Sequence, residues 1–416
     1  MADSLKPLPS GSGARGLTRV AVLGSTGSIG RQTLDVIRAH PSRFEVVGLA
    51  AGKNVDLLAA QVAEFSPAMV CCADPDSLRS RLAGARPEPV EGRLGRGGAR
   101  TALEYAPSPQ LVSLVEMASD PKTDIVVSAI VGGDGLVPTM AALSAGKAVA
   151  LANKEAMVMA GHLISAAAAK GGAEIRPVDS EHSAIWQCLA GHDRAAVRRL
   201  IITASGGALR DLSAAELAAV TPERALAHPT WLMGPRITID SASLFNKGLE
   251  VIEARWLFDI PFERIDVLMH RESIMHSMVE MADGSILAQL SMPDMRLPIQ
   301  YALTYPERLP LDLPRVDFGR LGSLNFGEPD LERYPCLALA LAAARQGGST
   351  PAALAAADEE AVGAFLDRRI AFIDIPHLLA DTLERHEVVA EPCLEEVLAT
   401  DAWARRFARQ WIAARQ

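Results

Sequence analysis

Between Thr18 and Leu151 the chain alternates two apolar patterns. Compact apolar runs at Thr18–Leu23, Phe44–Leu49, Ala68–Cys72, Asp124–Ile130 and Lys147–Leu151 predict strands. Helices are predicted between and after them at Gln32–Ala39, Pro75–Leu82, Leu111–Ala118, Pro138–Ser144 and Ala156–Lys170, and the Gly/Arg-rich stretch 84–100 reads as loop. Short apolar runs separated by helices predict a parallel sheet covered on both faces.

Beyond residue 171 the pattern changes. Ala173–Val178 predicts a strand, 183–190 a helix, Arg199–Ala204 and Ile237–Ile239 strands, and Asn246–Phe258 a helix. Ile265–Met269, Ser273–Met281 and Ser285–Leu290 follow as strands, the last two joined by the hairpin signal Asp283-Gly284. Pro293–Pro314 is proline-studded and reads as a surface linker, while Pro335–Gln346, Thr350–Phe365, Ile375–Thr382 and Leu394–Ala414 read as helices. The expected fold class is α/β: a leader (1–17), an N-terminal Rossmann-like parallel-sheet domain (18–170), a central α+β catalytic domain with a mixed sheet (171–292), a linker (293–325) and a C-terminal helical domain (326–416). The last is expected to be supportive, because no polar constellation converges in its alanine-rich helices.

At 416 residues, with 49% apolar and 22% charged positions, the chain suits two or three globular domains. A net charge of -9 without a basic aromatic stripe argues against a nucleic-acid partner. Cys71, Cys72, Cys188, Cys336 and Cys393 follow no disulfide or zinc spacing, which suits a reducing, cytoplasmic setting. No apolar stretch approaches a membrane span, and the leader lacks a signal-peptide core.

Strand, glycine turn and helix meet at Gly24-Ser25-Thr26-Gly27-Ser28-Ile29-Gly30. Glycines in that context let backbone N–H groups approach a pyrophosphate at a helix N-terminus. After the second strand stand Gly52-Lys53-Asn54, where a cofactor without a 2′-phosphate would call for an acid; lysine and amide favour NADPH over NADH. Asn153-Lys154-Glu155 follow a later strand, on the edge where the cofactor ring would arrive.

Asp179-Ser180-Glu181-His182 stand at the end of the strand Ala173–Val178. In an extended segment Asp179 and Glu181 point the same way. Glu250 on the helix Asn246–Phe258 offers a third carboxylate, and Ser205, Ser241, Asn246 and Lys247 form a four-point phosphate cradle. Three carboxylates without cysteine favour Mg²⁺ or Mn²⁺ over zinc, with Co²⁺ admissible. Glu253 is expected to pair with Arg255 or Arg271 outside that shell. Trp231, in the loop His228–Pro235, is a lid candidate, and His276 reads as core.

These motifs resemble the 1-deoxy-D-xylulose 5-phosphate reductoisomerase family over nearly the whole chain from Thr18, with Ile274-Met275-His276-Ser277-Met278-Val279 in addition. The resemblance implies an NADPH-dependent homodimer of the non-mevalonate isoprenoid pathway, inhibited by fosmidomycin, that converts 1-deoxy-D-xylulose 5-phosphate to 2-C-methyl-D-erythritol 4-phosphate. It implies metal ligands at Asp179, Glu181 and Glu250. Substrate contacts fall on Ser180, Glu181, Ser205, His228, Ser241, Asn246, Lys247 and Glu250, with Lys154 close to the chemistry and Trp231 in a closing loop. Three departures stand out: Arg271-Glu272 between His270 and Ser273, Ala208-Leu209 after Ser205-Gly206-Gly207, and Asp134 in the turn after Val131. They are expected to affect, in turn, the wall beside the phosphate helix, loop closure, and packing near nicotinamide. The alternative reading is another NADP-dependent two-domain dehydrogenase of the homoserine or sugar-acid type.

Overall fold

The computed structural model describes residues 16–84 and 109–415. The leader through position 15 and most of the Gly/Arg-rich loop therefore lie outside the described residues.

Seven parallel strands form the first sheet in the order β4-β3-β2-β1-β5-β6-β7. They are β1 (Thr18–Leu23), β2 (Phe44–Ala51), β3 (Met69–Cys72), β4 (Gln110–Leu111), β5 (Ile125–Ser128), β6 (Ala148–Leu151) and β7 (Ile175–Pro177). Alternation along β1 sends Val20 and Val22 into one apolar cluster and Ala21 and Leu23 into another, so both faces are covered. Strand order reverses between β1 and β5, which opens a crevice at their C-terminal ends. There Gly24 has φ +91°, and a Cβ on it would lie 2.4 Å from the carbonyl oxygen of Ala129. No other residue fits so close to the facing turn.

The second sheet runs β11-β10-β8-β9, from β8 (Val197–Ala204), β9 (Ile265–Met269), β10 (Met275–Met281) and β11 (Ile286–Leu290). β8 pairs parallel with β9 and antiparallel with β10, and β10 turns through Asp283-Gly284 into β11. Its inner face packs Leu200, Ile202 and Val279 against Ile185, Val251 and Phe258 of the helices Ser180–Leu189 and Phe245–Phe258.

Three expectations need correction. Ile237–Ile239 is not a strand but the middle of the helix Pro235–Ala242, where Pro235 pre-sets the first turn and outweighs β-branched propensity. The stretch read as a surface linker contains the helix Arg296–Thr304, which tolerates Pro298 in its first turn and buries Ile299, Ala302 and Leu303 beside β1. Helix Leu114–Ser119 starts later than expected, behind β4, at a capping box of Ser113 and Glu116. In the C-terminal part, the helix Thr350–Leu366 is buried on nearly every side, its alanines allowing close approach to neighbouring helices. Among the described residues no helix is long and apolar enough to cross a membrane, and all five cysteines are free.

Candidate active site

The C-terminal edge of the first sheet faces one end of the second across a cavity of about 360 Å³. Gly27, Ser28 and Ile29 line it together with Lys154, Asp179, Glu181, Ser205, Trp231, Ser241, Asn246, Lys247 and Glu250.

Asp179 and Glu181 converge for a different reason from the one expected. They do not lie in an extended segment; Asp179 N-caps the helix Ser180–Leu189, its Oδ1 accepting from the Glu181 amide at 3.1 Å. The fully buried Glu250 reaches them from the helix Phe245–Phe258, and one oxygen of each carboxylate lies within 4.8 Å of the others. Ser180 donates to Glu181. Lys154 Nζ lies 2.9 Å from Asp179 Oδ2 and donates to Asn246 Oδ1 at 2.5 Å. Lys247, expected in the phosphate cradle, gives its ammonium to Glu181 at 2.9 Å and to Glu250.

The acids still outnumber the ammonium groups. Burial, reinforced by Glu181 and opposed by Lys247, pushes the Glu250 carboxyl up to about 7. A buried all-oxygen set short of positive charge fits a hard divalent cation such as Mg²⁺. Asp179, His182 and Glu253 also stand within ligand spacing of one another, but His182 and Glu253 lie behind the cavity wall. Burial opposes a charge on His182, yet Glu253 and Asp179 outweigh it and raise its pKa to about 9. Its Nε2–H donates to the Glu250 carbonyl at 2.9 Å. Glu253 is thus buried beside His182 Nδ1 at 3.6 Å, not paired with an arginine; Arg255 pairs with Asp259 and Arg271 with Asp211.

At the glycine turn, Gly27 caps the helix Ser28–Ala39 without a side-chain bond, leaving the first amides open. Thr26 is half-buried in the same turn. Ser25 is buried and spends its hydroxyl on Gln61 at 2.8 Å, and Gly30 is pressed against Gly24. Gly52 and Lys53 are exposed beside Asn54, whose side chain caps the helix Val55–Phe65. Asn153 is a buried cap that donates to the carbonyls of Ile130 and Gly132 at 2.8 and 2.9 Å. It shapes the wall, while Glu155 lies 3.0 Å from Arg236.

His228 organises the loop. Its Nδ1 accepts from the amides of Trp231 and Thr230 at 2.9 and 3.2 Å, so the proton sits on Nε2, 3.1 Å from Ser205 Oγ. Burial, helped by Arg210, lowers its pKa to about 4. Trp231 is half-buried, its ring 6.0 Å from that of His276.

Several lining residues had not been expected: Arg236, His270, Ser273, Met275, Met295 and, set down as core, His276. Their sequence signals were the His270–Ser273 turn after β9 and the run Ile274–Val279 that follows it. In the turn His270 Nε2 accepts from the amides of Ile274 and Met275, and Ser273 adopts φ +54°. Arg271 points outward to Asp211 at 2.6 Å. Leu209 is buried, and Asp134 is exposed, away from the cavity lining.

The chain matches the family described as 1-deoxy-D-xylulose 5-phosphate reductoisomerase over residues 20–161, its C-terminal domain over 175–258, and the DXP reductoisomerase C-terminal domain over 290–407. It is 52% identical to 1-deoxy-D-xylulose 5-phosphate reductoisomerase of Geobacillus sp. (strain WCH70), covering 94% of this chain and 99% of that one. The Heliobacterium modesticaldum counterpart is 54% identical, with 95% and 98% covered. Among solved structures, the Zymomonas mobilis enzyme in complex with NADPH superposes with a TM-score of 0.83 at 43% identity, covering 95% of this chain and 99% of that one. A reductoisomerase in complex with NADPH, fosmidomycin and magnesium gives 0.86 at 40%, covering 95% and 98%.

Proposed function

The chain belongs to the 1-deoxy-D-xylulose 5-phosphate reductoisomerase family, and from that premise we propose how its residues share the work. It is an NADPH- and divalent-metal-dependent reductoisomerase that rearranges 1-deoxy-D-xylulose 5-phosphate and reduces the product to 2-C-methyl-D-erythritol 4-phosphate. One observation supports the residue assignment above others: open amides at Ser28 and Ile29 and the carboxylates Asp179, Glu181 and Glu250 line a single cavity. A homoserine-type or sugar-acid dehydrogenase would have no use for that acid set.

Asp179, Glu181 and Glu250 would hold the metal, which supplies Lewis-acid polarisation and a template for two substrate oxygens when bound. Lys154 acts as a hydrogen-bond donor, not a base: burial opposes its charge, but Asp179 and Glu250 outweigh burial and keep it protonated. Ser180 steadies Glu181. Ser205, Ser241 and Asn246 take the phosphate together with the His228 Nε2–H. Lys247 joins them once Glu181 and Glu250 are no longer its only partners. Remote binding of that phosphate fixes the reacting carbons, and Trp231 covers them and excludes water. Gly24 to Gly30 receive the pyrophosphate, Gly52, Lys53 and Asn54 the 2′-phosphate, and Asn153 and Glu155 shape the nicotinamide wall.

The enzyme is further proposed to work in the cytoplasm, to accept Mn²⁺ as well as Mg²⁺, and to form a homodimer. Among the described residues β11 stands at one edge of the second sheet with no strand paired outside it, which suits pairing with a second copy. Purified protein, substrate and NADPH should show cofactor oxidation only with added Mg²⁺ or Mn²⁺. Equal rates in chelator would contradict the metal assignment.

A further inference from the structure

Arg236 is the second residue of the helix Pro235–Ala242, directly after the Trp231 loop, and its guanidinium is buried where three parts of the fold meet. Nη1 lies 3.0 Å from Glu155, next to Lys154 on the helix Lys154–Gly171, and 3.3 Å from Glu359 on the helix Thr350–Leu366. Asp240 and Asp358 complete the ring at 3.9 and 4.0 Å. Burial holds the carboxyls of both above the usual carboxylate range, and the Arg236 charge opposes that rise. Glu359 also accepts from Arg405 at 2.7 Å and lies against Gly132, where a Cβ would come within 2.7 Å of its oxygen. The same acidic side chain therefore backs both the loop end and the turn after β5.

None of the three guanidinium nitrogens has an aligned hydrogen-bond partner. A bidentate fork would lock the arginine in one orientation. Charge contacts to four acids on three elements hold it in place instead.

We propose that Arg236 is a positioning residue, a buried tie that joins the trailing end of the Trp231 loop to Glu155 and to the C-terminal helix Thr350–Leu366, so that loop closure and the placement of Lys154 are coupled. The inference rests on the reductoisomerase reading and assigns the C-terminal helices a part in catalysis.

The test compares Arg236→Met, Arg236→Lys and Glu359→Gln with the wild type in steady-state kinetics, NADPH binding, and amide hydrogen exchange over residues 228–236 with and without fosmidomycin and Mg²⁺. Arg236→Met should raise KM for the sugar phosphate and lower kcat together, by about tenfold or more in kcat/KM. NADPH affinity should stay within about twofold and the inhibitor-induced protection of the loop should vanish. Arg236→Lys should restore most of both, and Glu359→Gln should move them the same way by less; if Arg236→Met does not fold, Glu359→Gln decides alone. Wild-type kinetics and loop protection in Arg236→Met would overturn the proposal. So would a general loss of NADPH binding that Arg236→Lys does not rescue. A wild type that fails to oxidise NADPH with the sugar phosphate would instead remove the reductoisomerase reading.

Discussion

Lys154 Nζ lies 2.9 Å from Asp179 Oδ2, joining the first turn of one helix to the N-cap of the next beyond the ends of the neighbouring strands β6 and β7. The ammonium thus sits against the acid set, with Glu250 3.6 Å away. Lys154→Met should lower kcat about 10²-fold, roughly the worth of a charged donor at the reacting oxygen. Mg²⁺ affinity should be unchanged or tighter, because a competing cation has been removed. A metal titration followed by activity separates the two, and weakened Mg²⁺ binding would contradict the role.

Glu250→Gln should behave differently. It removes a ligand charge, so Mg²⁺ affinity and kcat should both fall, each by about tenfold or more, with NADPH affinity within about twofold. Isothermal titration with Mg²⁺ and with NADPH checks both, and a normal rate at low Mg²⁺ would count against the ligand assignment.

Lys53 stands exposed after β2, with no acid at that strand end to hold a ribose diol. Lys53→Ala should weaken NADPH about tenfold, the scale of one charge-assisted contact, and leave NADH nearly unchanged. Competition binding with the two cofactors decides, since equal weakening would mean no phosphate contact.

His228 carries a pH signature. Its pKa falls from the usual 6.5 to about 4 through burial and Arg210, so between these values the unfolded chain binds more protons than the folded one. Its contribution to stability is complete above pH 6.5 and is lost as the pH falls towards 4. Denaturant unfolding across that window should show a shallower pH slope for His228→Asn than for the wild type. An identical slope would mean that His228 does not stay neutral in the fold.

Much of this site was legible because its signals are local. The glycine turn, the Asp179–Glu181 pair and the run from Asn246 to Glu250 each sit within a few residues; the period of the apolar runs placed the first and the last on the right elements, while the pair, expected in an extended segment, stands at a helix N-terminus. What failed was long-range. Ile237–Ile239 carries β-branched residues, but Pro235 and burial against neighbouring helices make it a helix. Arg296–Thr304 hides behind prolines and shows its apolar face only when β1 is there to cover it. Glu253 could be assigned to His182 only once the helix Phe245–Phe258 lay across the helix Ser180–Leu189. The Arg236 cluster drew on residues 155, 240, 358 and 359, and its one trace was a run of acids, Asp358-Glu359-Glu360, inside an alanine-rich helix.

The most direct test is the position of the metal itself. Anomalous scattering from a crystal soaked in Mn²⁺ with the phosphonate inhibitor should give one peak among Asp179, Glu181 and Glu250, on the cavity side. A peak held instead by Asp179, His182 and Glu253, or none at either place, would contradict the assignment on which the site chemistry rests.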